Sequence, residues 1–153
     1  MKLSVFSWRS FSRVLCLGAL LAVTAGASAA ELQYFRPAGS KAPYAAAVKA
    51  GETVYVSGQL GAGADGKLPA DFETQARNTM ANVATALKSA GVSVDDVAQC
   101  TVMITDMANW AAFNTIYVAA FKPERLPARS AMAVSALPMG ALLEVDCKAY
   151  AGK

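Results

Sequence analysis

The sequence predicts an α/β protein of α+β two-layer type, a β-sheet with two helices on one face, preceded by an export leader. Three observations predict it. Short runs rich in Val, Ile, Thr and Tyr alternate with two segments of helical periodicity. Glycine, proline and aspartate punctuate the joints between them. The first thirty residues differ in composition from all that follows.

Lys2, Arg9 and Arg13 open the chain with positive charge, Val14 to Ala25 is apolar, and Ala27-Ser28-Ala29-Ala30 offers small residues to a signal peptidase. The apolar run is about a dozen residues, shorter than the roughly 18–20 that span a bilayer. Residues 1–30 therefore read as a secretory signal cut after Ala29 or Ala30. The mature part, residues 31–153, is one domain, exported across the inner membrane to the periplasm, with no membrane association after cleavage.

Charge and composition exclude several classes of function. The whole chain has 14 basic and 11 acidic residues. Three basic residues leave with the leader, so the mature chain balances at 11 of each. No electrostatic footprint for nucleic acid or anionic membrane remains. The chain has no histidine, which removes Ser-His and Cys-His nucleophile pairs and His-ligated zinc. Cys100 and Cys147 are too few for a thiolate metal cage, so no metal is expected. Each lies in an apolar run and reads as a buried, unpaired thiol, although an oxidising compartment permits a disulfide.

Along the mature chain, Pro37, Gly39 and Pro43 punctuate a segment with few signals, 31–52, laid over the domain's edge. Thr53 to Ser57 is a β-branched and aromatic strand, stopped by Gly58. The loop Gly61 to Gly66 lacks the Gly-Lys-Ser/Thr of a phosphate cradle. Asp71 caps a long helix with Phe72, Ala76, Met80, Val83, Leu87 and Ala90 at helical spacing, and Gly91 ends it. Val97 to Thr105 is the next strand. Asp106 or Asn109 caps a second helix, whose stripe of Trp110, Phe113, Tyr117 and Phe121 is core packing, closed before Pro123.

Ser130 to Leu137 and Ala141 to Tyr150 read as strands, and Pro138-Met139-Gly140 as the turn of a hairpin between them. Helices interposed between strands in this way cover one sheet face. The other face is left bare, and bare apolar sheet implies a homo-oligomer.

Two charged residues fall inside apolar strands. Arg129 stands at the mouth of one, and Glu144 within Leu142-Leu143-Glu144-Val145 of the other. Arg129 can present a planar, permanently charged fork to a ligand carboxylate. Glu144 can serve as general acid or base, or position a water. Spacing alone equally allows a structural ion pair or two solvated strand residues. Asp146 and Lys148 share Glu144's face by alternation.

Pro43-Tyr44, Tyr55 to Leu60, Gln75 to Asn82, Thr101 to Asp106, Phe113-Asn114 with Tyr117, and above all Pro127-Ala128-Arg129-Ser130 with Leu137-Pro138 and Leu143-Glu144-Val145 resemble the RidA (YjgF/UK114) family. The resemblance covers roughly residues 34–150. It implies a chorismate-mutase-like mixed sheet assembled as a homotrimer, with a ligand cleft at each subunit interface. It implies hydrolysis of small imine and enamine carboxylates, such as 2-aminoacrylate, to 2-keto acids and ammonia, without metal or organic cofactor. By position, Arg129 resembles the family's carboxylate-binding arginine and Glu144 its water-handling glutamate. Tyr44, Ser57, Gly58 and Asn114 resemble the remaining cleft residues. Ala131 departs from the family's usual cysteine two residues after the arginine, a change that bears on substrate range. The alternative reading is a non-catalytic carboxylate-binding or holdase-like trimer. An endoribonuclease or translation inhibitor, labels the family also carries, is opposed by the balanced charge, the missing histidine and the leader.

Overall fold

The computed structural model describes residues 31–152, so the expected signal at 1–30 lies outside the described residues. Six strands form one mixed sheet: β1 (Leu32–Phe35), β2 (Ala47–Ala50), β3 (Thr53–Leu60), β4 (Val97–Ile104), β5 (Ala128–Ala133) and β6 (Leu143–Tyr150). Their order across the sheet is β1-β2-β3-β6-β4-β5. Helices α1 (Phe72–Ser89) and α2 (Trp110–Ala119) cover one face.

Both helices form where the periodicity placed them. The Asp71 carboxylate accepts from Thr74 N at 2.8 Å, satisfying an otherwise unpartnered N–H of the first turn. That bond holds the Asp71 carboxyl below its usual range. At the other end Gly91 takes a positive φ of 77°, and Val92 N returns to Leu87 O at 3.2 Å. Asp106 accepts from Ala108 N at 2.9 Å within a short turn leading into α2, and Asn109 makes no side-chain cap.

The buried side of α1 packs Ala76, Val83 and Leu87 on Val54 and Val56 of β3 and on Val145 and Cys147 of β6, while Phe113, Ile116 and Tyr117 of α2 complete the core. Alternation divides each strand between the two faces. Cys100, Val102 and Ile104 of β4 and Leu143, Val145, Cys147 and Ala149 of β6 are buried toward the helices. Glu144, Asp146 and Lys148 point to the open face, as expected, where Tyr34, Tyr55 and Met132 are also exposed. The open face is thus mixed, with tyrosines and charges interleaved.

Four expectations need correction. The segment 31–52 contains strands, β1 and β2, which form one edge of the sheet by antiparallel pairing. Gly58 does not stop β3. Val56 pairs with Cys147 and Gln59 with Val145, so β3 carries one extra residue, a bulge at Ser57-Gly58, and runs on to Leu60.

The third correction is the hairpin. β5 pairs parallel with β4, Arg129 opposite Cys100, and β6 lies between β3 and β4. The reason is α2: a helix joining two neighbouring strands is a crossover and makes them parallel. The chain then steps across β4 through residues 134–142, and Pro138–Gly140 is a turn on that path.

The fourth is the cysteine pair. Cys100 and Cys147 face each other across the β4–β6 ladder with Cα atoms 4.1 Å apart, and their sulfurs form a disulfide. Directly opposed residues of an antiparallel pair come this close at non-hydrogen-bonded positions. A hairpin of β5 with β6 would have kept them apart.

Candidate functional site

The bulge of β3 and the start of β6 bring several of the candidate residues together. Ser57 Oγ donates to Ala45 O at 2.7 Å, tying the bulge to the strand beside it. Next to it Gly58 leaves room for the Glu144 side chain. A Cβ at position 58 would stand 1.7 Å from Glu144 Oε1, so any residue but glycine would expel the carboxylate. The close approach that Gly58 allows is that of Glu144 itself. Leu60 lies opposite Glu144 in the ladder.

Residues not anticipated from the sequence hold this geometry. Gln75, only 3% exposed, donates through Nε2 to Pro69 O at 2.6 Å and accepts from Leu142 N at 3.0 Å. Thr105 N and Oγ1 both donate to Leu142 O, at 3.0 and 3.1 Å. Leu142 precedes β6 directly, so these bonds from α1 and β4 fix where Glu144 enters the sheet. A glutamine at a buried helix position was the available signal, because buried amides require partners.

Around Glu144 lies a pocket of about 370 Å³, lined by Tyr44, Ser57, Gly58, Leu60, Pro138 and Met139. Met139 is the one non-glycine residue with positive φ, 60°, among the described residues. Such a conformation costs about 1–2 kcal/mol, and here it turns a methionine over the pocket mouth. Partial burial raises the Glu144 carboxyl above its usual range, and the like charge of Asp146 adds to the rise.

Arg129 and Asn114 are elsewhere. Arg129 shares the register of Cys100, whose side chain is buried toward the helices, whereas Glu144 shares the register of Met103, on the open face. The candidate pair therefore occupies opposite faces of the sheet, and no ion pair joins the two among the described residues. The structural-ion-pair alternative fails within one subunit.

The Arg129 guanidinium lies 4.6 Å from the ring centroids of both Trp110 and Tyr117. The aromatic stripe is core, as expected, but its exposed margin also seats a cation. Asn114 is four residues after Trp110 and three before Tyr117, on the same stripe of α2. Its side-chain oxygen and the Tyr117 hydroxyl are buried without a hydrogen-bond partner among the described residues. Burial raises the Tyr117 hydroxyl pKa, and Arg129 opposes that rise. The structure thus divides the candidate residues into two groups: Tyr44, Ser57, Gly58 and Glu144 around one pocket, Asn114 and Arg129 beside the aromatic stripe of α2. Among the described residues no group of acidic or cysteine side chains could hold a metal ion.

Comparison with known proteins places this architecture. Residues 36–151 match the family model described as Endoribonuclease L-PSP. The mouse (Mus musculus) 2-iminobutanoate/2-iminopropanoate deaminase is 37% identical over 112 residues, 72% of this chain and 82% of the mouse protein. RidA from the Antarctic bacterium Psychrobacter sp. PAMC 21119 superimposes with a TM-score of 0.69 at 34% identity, over 80% of this chain and 98% of that one. Escherichia coli TdcF, solved with bound serine, gives a TM-score of 0.69 at 34% identity, over 82% and 99% of the two chains. The chain belongs to the Endoribonuclease L-PSP family, the family of RidA, and has its mixed α+β fold. Relatives within it carry reactive-intermediate and imine deaminase names.

Proposed function

We propose that the protein hydrolyses reactive 2-imino and 2-enamino acids to 2-oxo acids and ammonia, in a cleft that two subunits complete. The observation that carries this is the Glu144 carboxyl, held over Gly58 in a pocket with its proton affinity raised. A carboxyl tuned toward neutrality can both take and return a proton. In the proposed reaction Glu144 accepts a proton as water adds to C2 of the imine. It passes that proton to the imine nitrogen, giving a carbinolamine, and then relays the C2 hydroxyl proton to the same nitrogen as the C2–N bond breaks, so that the carbonyl forms and ammonia leaves.

Arg129 binds the substrate carboxylate with its planar fork, oriented by Trp110 and Tyr117. Since Arg129 and Glu144 lie on opposite faces of one subunit, one substrate meets both only if they come from different copies. A homotrimer, with the open faces turned inward, satisfies this and covers Tyr34, Tyr55 and Met132. Mouse deaminase and serine-bound TdcF support the reaction class and a small amino-acid-like ligand. The export leader expected from the sequence supports a periplasmic location for this activity, and the buried disulfide accords with an oxidising compartment.

The test is turnover. 2-Iminopropanoate is generated in situ from alanine by an amino-acid oxidase, and its disappearance is followed with and without purified mature protein. Acceleration that is lost in Glu144→Gln supports the reading. Binding of carboxylates without acceleration identifies a binding protein instead.

A further inference from the structure

The pocket that holds Glu144 continues past Gly58. A second chamber of about 290 Å³ opens beside it, and the two share Tyr44, Gly58, Leu60 and Met139. That volume alone approaches the lower limit of small-molecule pockets, about 300 Å³. The segment between β1 and β2 forms one wall and is pinned in place. Arg36 Nη1 donates to Ala42 O at 3.0 Å, and Ala46 N to Phe35 O at 2.8 Å.

The lining is apolar in effect. Pro37, Ala42, Ala46 and Ala62 contribute carbon surface. The amide donors in the wall are committed to backbone carbonyls. Asn82 Nδ2 donates to both Leu60 O, at 2.8 Å, and Ala62 O, at 3.0 Å, and Gln59 Nε2 to Ser57 O at 2.8 Å. Ser40 adds a hydroxyl, which accepts from Ala42 N at 3.3 Å, but with the wall's amides committed a polar group entering here exchanges water for few partners, whereas an apolar group loses nothing. Met139 stands on the boundary of both chambers, 70% exposed and on a flexible stem.

We propose that this second chamber is a side-chain subsite, which makes the preferred substrates 2-imino acids with extended or branched apolar side chains. The inference rests on the deaminase reading above. The imine carbon stays beside Glu144, and the substrate side chain runs between Gly58 and Met139 into the chamber. The methyl group of 2-iminopropanoate is too short to reach it.

The experiment compares kcat/KM for 4-methyl-2-iminopentanoate, generated from leucine, with that for 2-iminopropanoate, generated from alanine. Each methylene seated in an apolar pocket is worth about tenfold or more in discrimination. The wild-type ratio is therefore expected to favour the leucine-derived imine by at least about tenfold. Two substitutions fill the chamber from different walls, Ala42→Phe and Ala62→Leu. Each is expected to cut that ratio by about tenfold. A wild-type ratio near unity, or a ratio unmoved in both variants, overturns the subsite. Calorimetric affinities for 4-methyl-2-oxopentanoate and pyruvate read the chamber without turnover. If the wild type hydrolyses neither imine, the deaminase reading fails while the subsite is still judged. Tighter binding of the branched acid that Ala42→Phe abolishes supports it, and equal affinities overturn it.

Discussion

Glu144 carries a cost that can be measured apart from chemistry. Its proton is held more tightly in the folded protein than in the unfolded chain, through burial first and Asp146 second. Its contribution to stability is greatest below the ordinary carboxylate range and is lost as pH rises through the raised value. Glu144→Gln should therefore melt above the wild type at neutral pH, with the gap closing on acidification, as thermal melts across a pH series would show. The same variant should lose turnover by roughly 10²–10⁴-fold while still binding carboxylates, the range for a missing general base. Equal turnover would remove Glu144 from the mechanism. Arg129→Ala should weaken binding of 2-oxo acids by about 2–5 kcal/mol, and Arg129→Lys should recover little of it, because an ammonium lacks the fork. Wild-type affinity in either variant would refute the role.

At the level of elements, the positions of both helices were legible because their buried stripes and caps are local properties. Strand pairing was not. Ser130 and Tyr150 lie in two apolar runs joined by a short turn, which is also how a hairpin looks. Only the crossover through α2 shows that β5 must follow β4 in parallel. The same gap hid the disulfide, since Cys100 and Cys147 become neighbours only once β6 is placed beside β4. The candidate site residues were legible as residue types in the right strands and helices, but their division between two faces was not, because it depends on that pairing.

Two predictions belong to this level. Reducing the disulfide, which spans 47 residues of chain, should cost roughly 4 kcal/mol on the chain-entropy estimate. A melt with and without reductant measures it, and no change in Tm would mean that packing alone holds the ladder. Gln75→Ala strands Leu142 N in a partly buried position and should cost about 1–3 kcal/mol. Turnover should fall with it, since Leu142 sets the entry of Glu144, and a variant with native stability and rate would contradict that coupling.

For the whole molecule, the proposed reaction requires assembly, because Arg129 and Glu144 lie on opposite faces of one subunit. The mature protein is expected to run at three times its subunit mass in light scattering at micromolar concentration, and a monomer would refute the shared cleft. Mixing inactive Arg129→Ala with inactive Glu144→Gln subunits should restore part of the activity, because some interfaces then receive one intact half from each. No recovery after exchange would place both residues in a single subunit's site.

The exposed edge formed by β5 has a consequence of a different kind. All six of its residues are exposed, and among the described residues no strand pairs with its outer row of N–H and C=O groups. In an isolated subunit such an edge is a template for aggregation. Arg129 is the only charge in Ala128–Ala133, and a charge on an exposed edge opposes edge-to-edge pairing. Alanine and lysine at position 129 should then agree in failing to bind substrate yet part company in soluble yield, with the lysine form the better behaved.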